Sequence, residues 1–267
     1  MSDTPVHDPF SVAGKVVVVT GGGTGIGAGI ARAFSERGAK VLIASRNGEH
    51  LGPVAKALRD AGGTVESLTC DVRDAAQVET MFDHAERAYA VHGGVDVMVS
   101  NHGASFYKPA HEISPNGFAT IVAINLNGTF LCARAAARRW IERKQPGRII
   151  NMSSEAGIYG APGMSHYAAA KAGVQNLTRT LAMEWAPHGI LVNCVAPGPI
   201  DTPEAATRSW STPEMKAQVE KSTALNRLGR VEEVAWPCVF LASEAAGFVT
   251  GHTFSVDGGP TSSLTIP

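Results

Sequence analysis

Seven short runs rich in β-branched residues, at 16–19, 41–44, 65–69, 95–100, 148–151, 191–195 and 253–256, recur along the chain with longer helix-periodic stretches between them. Parallel strands buried on both faces read as short apolar runs, and each pair needs a crossover long enough to hold a helix. The punctuation agrees: Gly38 and the pair Gly62 and Gly63 stand where helices should end, and Asp74 where one should begin. Ser114 followed by Pro115 reads as a serine N-cap with proline at the first helical position. No repeat, low-complexity tract or linker-like shift in composition interrupts the pattern. Right-handed crossovers with helices on both faces then predict an α/β, doubly wound, Rossmann-like fold. The expectation is one domain over 1–267, with a core from about 14 to 259 and a seven-stranded parallel sheet flanked by helices. In such a sheet ligands bind beyond the carboxyl ends of the strands.

Composition narrows what those ligands are. A formal net charge of −1 gives no general attraction to nucleic acid or to anionic membranes, which leaves a small molecule as the expected partner. The four cysteines form no CxxC pair and read as reduced core thiols, and the nine histidines include no HExxH, so no metal is expected. Residues 1–12 lack a basic segment followed by an apolar run, and no run of about 18 apolar residues stands out, so the expectation is a cytoplasmic protein without a membrane span.

After the first apolar run comes Thr20-Gly21-Gly22-Gly23-Thr24-Gly25-Ile26-Gly27, leading into the periodic residues Ile30, Ala31 and Phe34. A strand, a glycine turn and a helix let the backbone approach a pyrophosphate closely, with free N–H groups and the positive helix end offsetting its charge. The spacing is GxxxGxG rather than the GxGxxG of the general dinucleotide fingerprint. Where the second strand ends, an NAD enzyme would place an acid to hold the adenosine ribose hydroxyls. Ser45 and Arg46 stand there instead. A guanidinium fork matches a 2′-phosphate in shape and charge, so NADP(H) is preferred, with NAD(H) as the alternative.

Tyr167 and Lys171 are four residues apart in a helical stretch, which puts their side chains on one face a turn apart. Lowering a tyrosine pKa from about 10 to about 7 takes roughly 4 kcal/mol of preferential phenolate stabilisation, and a neighbouring ammonium is expected to supply much of it. Just upstream, 147–154 reads as a strand ending in two hydroxyls, Ser153 and Ser154.

With TGGGTGIG, Asn125-Leu126-Asn127-Gly128, the serine pair before YAAAK, and Pro197-Gly198, the chain resembles the short-chain dehydrogenase/reductase family over roughly 14–259. The resemblance implies direct hydride transfer between nicotinamide and a substrate carbon, with Tyr167 as acid/base group and Lys171 as its support. Its serine lies 13 positions before the tyrosine, which selects Ser154, expected to hydrogen-bond the substrate oxygen. The first residue of its NxxG segment carries over to Asn125, expected to hold a water linking Lys171 to solvent. On the cofactor side it implies Gly21, Thr24, Gly25, Ile26, Gly27, Ser45 and Arg46, with Asp71 on the adenine amino group and Val72 beside it. It further implies Asn101 and Gly103, the helix residues Tyr167 and Lys171, the turn Pro197 and Gly198, and Ile200 beside Thr202, which would anchor the carboxamide.

One departure is visible: Ser100-Asn101-His102-Gly103 stands where the family has NNAG, so His102 replaces an alanine on the adenosine side. The tyrosine already fills the base role, so His102 is not expected to be catalytic, and His166 is expected on a different helix face from Tyr167. Substrate contacts are expected from 104–112, 157–164 and 202–225, with Phe106, Tyr107, Ile158, Tyr159, Met164 and Trp210 as candidates and 202–225 as a covering lid. The small-residue stretches 132–137 and 168–172 are either core or subunit contact, and the resemblance favours a homotetramer. Three functions are weighed. The first is oxidation or reduction of a ketone/secondary alcohol, a 3-oxoacyl thioester among the candidates. The second is C=C reduction of an enoyl or dienoyl thioester, and the third a non-catalytic NADP(H) sensor or scaffold. Retention of Tyr167 and Ser154 favours the first.

Overall fold

The computed structural model describes residues 7–89 and 94–259. All seven expected strands form: β1 (Val16–Thr20), β2 (Lys40–Ser45), β3 (Thr64–Thr69), β4 (Val97–Ser100), β5 (Gly147–Met152), β6 (Ile190–Pro197) and β7 (Thr253–Val256). They make one sheet in the order β3-β2-β1-β4-β5-β6-β7, every neighbouring pair parallel. Its helices are α1 (Gly25–Ser35), α2 (Gly48–Asp60), α3 (Ala75–Ala88), α4 (Pro115–Val122), α5 (Gly128–Arg143), α6 (Ala156–Tyr159), α7 (Ser165–Trp185), α8 (Pro203–Arg208), α9 (Pro213–Glu220) and α10 (Val231–Ala242). Strand order reverses between β1 and β4, which opens a crevice beyond their carboxyl ends.

Successive β1 side chains go to opposite faces. Val17 and Val19 join Ile30 and Phe34 of α1 and Val234 and Leu241 of α10 in one core cluster. Val16 and Val18 join Met81 and Phe82 of α3, Trp140 of α5 and Leu181 of α7 in the other. The expectation of strands buried on both faces holds for the inner strands and fails at the edges. In β3 only Val65 is buried, and β7 is partly exposed along its length, because each has a single neighbour. The strand ends also move: β4 begins at Val97 rather than at 95, and β6 runs on to Pro197.

The helix signals act as read. Asp74 accepts from the N–H groups of Ala76 and Gln77, and Ser114 from that of Gly117. Helices α4 and α5 are continuous through a π-helical turn at Ala123–Asn127. Contrary to the expectation of no such segment, the continuous helix Pro115–Arg143 holds an 18-residue window with a mean hydropathy of 1.3, long and apolar enough by length and composition to cross a membrane. Its apolar face is instead spent on the sheet, and Cys132, Ala133 and Ala135, Ala136 and Ala137 lie in the core. The expected lid at 202–225 is also more ordered than a loop: it carries α8 and α9, capped by the hydroxyls of Thr202 and Thr212.

Candidate active site

A cleft of about 360 Å3 opens at the β1/β4 crevice, within the size range of small-molecule sites. The glycine turn forms its floor. Gly21 and Gly25 have φ of +66° and +47°, where a side chain would be strained. A Cβ on Gly27 would sit 2.0 Å from the Gly21 carbonyl oxygen, so only glycine lets α1 start this close to the turn. Thr24 takes the N-cap position of α1 and lines the cleft, but its side chain makes no capping bond to the first N–H groups of the helix. Ile26 packs on the core, and the Asn101 amide donates to Gly21 O at 3.2 Å, tying the residues after β4 to the turn after β1. Backbone shape and a positive helix end fit this floor to a pyrophosphate.

The adenosine side of the cleft is walled by Ser45, Arg46, Asn47, His50, Asp71 and Val72, with His102 and Gly103 at its inner end. Arg46 is exposed and holds no acid among the described residues, whereas the Ser45 hydroxyl is turned to Asn47 O at 2.8 Å. Asp71 is less free than expected. Arg73 grips its carboxylate through Nε and Nη2, and that guanidinium holds the carboxyl below its ordinary range. Nothing in the spacing of the sequence marked Arg73. Ile200 is buried and bridges to Gly229, and Gly198 is pinned by its N–H to Val256 O and faces Asp257. Thr202 lies over Gly25, so the turn after β6 arches back onto the glycine loop.

Beyond Gly103 lie the residues expected to handle protons. A Cβ placed on Gly103 would stand 3.0 Å from Asn125 Oδ1 and 3.6 Å from Lys171 Nζ, so these two atoms converge there. Lys171 is 3% exposed, its ammonium anchored on Met152 O at 2.8 Å and 5.6 Å from the centre of the Tyr167 ring. Burial pulls its pKa down to about 8. Asn125 sits in the π-helical turn, an irregularity common at functional sites. Its amide donates to Ala104 O and Ile121 O, which leaves Oδ1 as a buried acceptor without a partner among the described residues.

The two serines separate sharply. Ser153 is buried, donates to Lys171 O at 2.9 Å and accepts from Gln175, so it ties β5 to α7. Ser154 is half-buried and its hydroxyl faces the Tyr167 phenol. The expected acidification of that phenol by Lys171 is not what the chain alone produces. Burial holds the Tyr167 pKa above its ordinary value, Ser154 works against this, and Glu155 adds to it. The ammonium is turned to Met152 O, which explains why desolvation wins. Glu155 was not read from sequence; burial first, and then Asp257, raise its pKa to about 7. Only its place beside Ser154 could have drawn notice.

His166 packs on Phe106, with 4.1 Å between ring centres, and burial lowers its pKa. Of the other expected pocket residues, Met164 and Trp210 are buried, whereas Tyr107, Ile158 and Tyr159 are exposed. No group of three His, Cys, Asp or Glu suited to a metal occurs among the described residues.

A sequence model of the family described as "Enoyl-(Acyl carrier protein) reductase" matches residues 21–261. The chain is 43% identical to the cis-4-hydroxycyclohexanecarboxylate dehydrogenase of Sinomonas cyclohexanicum, over 93% of this chain and 97% of that one. It is 39% identical to a Bacillus subtilis protein named "Probable 2,4-dienoyl-CoA reductase", over 92% and 96%. Among solved structures, a "putative 2-deoxy-d-gluconate 3-dehydrogenase" from Agrobacterium tumefaciens with bound NADP superposes with a TM-score of 0.86. It is 30% identical, over 94% of this chain and 98% of that one.

Proposed function

The chain belongs to the short-chain dehydrogenase/reductase family, and from that premise we propose that it transfers hydride between NADP(H) and a ketone/secondary alcohol. One observation carries the reading. Ser154, Tyr167, Lys171 and Asn125 Oδ1 gather where the glycine-floored cleft reaches Gly103. A nicotinamide bound there would supply the hydride in reduction or accept it in oxidation; the chain supplies the proton in the first direction and takes it in the second.

In the reduction direction Ser154 holds the carbonyl oxygen and Tyr167 donates its proton to it. A phenol kept protonated by burial suits donation, and alcohol oxidation calls for the phenolate, so oxidation gains as pH rises. Lys171, with a pKa near 8, restores the phenol proton close to neutral pH, and Asn125 Oδ1 holds the water that links it to solvent. Arg46, exposed on the cleft wall and in no ion pair within 4 Å among the described residues, takes the 2′-phosphate and sets the preference for NADP(H) over NAD(H). Asp71, despite its Arg73 clamp, keeps its position for the adenine edge beside Val72, and Thr202 and Ile200 border the nicotinamide end. The same proposal treats 1–267 as one domain with 202–225 as its cover, cytoplasmic, and assembled as a homotetramer across α5 and α7, where Phe130 and Met183 are exposed.

The dienoyl-thioester relative supports a second reading, reduction of a conjugated C=C bond. A panel of ketones, secondary alcohols, 3-oxoacyl thioesters and dienoyl thioesters, each with NADPH or NADP+ and with NADH or NAD+, separates the two by nicotinamide absorbance. Turnover confined to the dienoyl thioesters would overturn carbonyl chemistry. Tight NADPH binding with no turnover on any of them would leave the sensor reading.

A further inference from the structure

His102 is absent from the mechanism above, yet it is 8% exposed and joins two parts of the site. Its Nδ1 lies 2.7 Å from the hydroxyl of Thr20, the first residue of the glycine turn. On its other edge the ring faces the carbonyl of Ile124, in the π-helical turn immediately before Asn125. There the Gly128 N–H reaches back five residues to Ala123 O instead of four to Ile124 O. The next carbonyl, of Asn125 itself, accepts from the Thr129 hydroxyl at 2.8 Å, and Thr129 in turn lies 3.5 Å from His102 Nε2.

Gly128 is part of the same fit: a Cβ there would stand 2.7 Å from Val72 Cγ2 and 2.9 Å from His102 Nε2. An imidazole with its proton on Nε2 accepts from Thr20 and donates to Ile124 at once. Burial and the nearby Lys171 ammonium pull the His102 pKa down to about 3, so this neutral form persists across the working pH range.

We propose that His102 is a positioning residue: it ties the start of the phosphate loop to the π-helical turn and so sets where Asn125 Oδ1 meets Lys171. The proposal rests on the reading that Asn125 takes part in turnover. Side-chain length makes it testable, since an asparagine amide reaches about as far as Nδ1 and a glutamine amide about as far as Nε2.

His102→Asn keeps the Thr20 contact and loses Ile124; we expect kcat to fall about tenfold, with the NADPH Kd within about threefold of the parent. His102→Gln regains the donor on the π-helical side while giving up the Thr20 contact, and recovers part of that loss. In a cycle with Asn125→Ala, His102→Asn adds little further loss. Equal kcat for the Asn and Gln variants, additive losses in the cycle, or an effect confined to NADPH affinity would each overturn the proposal. Both variants are polar and neutral, so the comparison stands if His102→Ala fails to fold. An unchanged kcat for Asn125→Ala alone would instead remove the reading of Asn125 on which the proposal rests.

Discussion

At the glycine-loop end of the cleft the contacts come from backbone shape and exposed groups, whereas at the Gly103 end they come from buried side chains whose charges are hard to keep. Gly27 is required because a Cβ would strike Gly21 O, and Arg46 stands in solvent. Lys171 and Tyr167 answer to desolvation: the amine is pulled toward neutrality and the phenol is held in its protonated form. The first end suits an anion and water. On the proposed reading the second exchanges protons, which calls for groups whose two charge states lie close in energy.

Removing the phenol breaks the comparison most directly. Tyr167→Phe is expected to lower kcat by about a thousandfold or more while the NADPH Kd stays within about threefold, measured by single-turnover kinetics and cofactor fluorescence. A comparable loss of cofactor affinity would mean that the two ends are not separable.

Arg46→Ala probes the solvent-facing end. One charge-assisted contact is worth about 1.5–3 kcal/mol, so NADPH should bind about 10- to 100-fold more weakly while NADH changes less than about twofold. Equal losses for the two cofactors would remove the phosphate assignment.

The smallest effect sharpens the buried end. The Glu155 carboxyl is raised from an ordinary 4.5 to about 7, so the folded chain keeps a proton there that the unfolded chain has released. The stability this gives is full below about pH 4.5 and is lost as pH rises through 7. Glu155→Gln is therefore expected to raise the Tm by several degrees at pH 8 and by little at pH 5. Removing that negative charge from beside Tyr167 should also move the rise in alcohol oxidation to lower pH. A Tm difference that does not change with pH would put the carboxyl in solvent.

Much of the site was legible because its parts are local. The glycine turn, the four-residue step from Tyr167 to Lys171, and the caps at Asp74 and Ser114 are each set by contacts within a few residues. The choice of Ser154 over Ser153 came from family spacing, and the structure adds its physical reason in the bonds of Ser153 to Lys171 O and Gln175. What escaped was long-range or depended on burial. The Ile124–His102–Thr20 bridge spans about a hundred residues of chain, the exposure of β3 and β7 follows from strand order, and Glu155 is raised by its surroundings rather than by its neighbours in sequence. The Asp71 clamp is the exception, a contact two residues long that the sequence reading passed over.

By itself the amino-acid sequence determined the alternation of strand and helix, the glycine turn after β1 and the side chains proposed for proton transfer, because periodicity and glycine sterics act over one or two turns of chain. Only the tertiary structure decided which hydroxyl faces the phenol, where the Lys171 ammonium points and how far each titratable group departs from its ordinary pKa. Those outcomes depend on the water excluded when β4, β5, α5 and α7 close together, and no segment excludes that water alone.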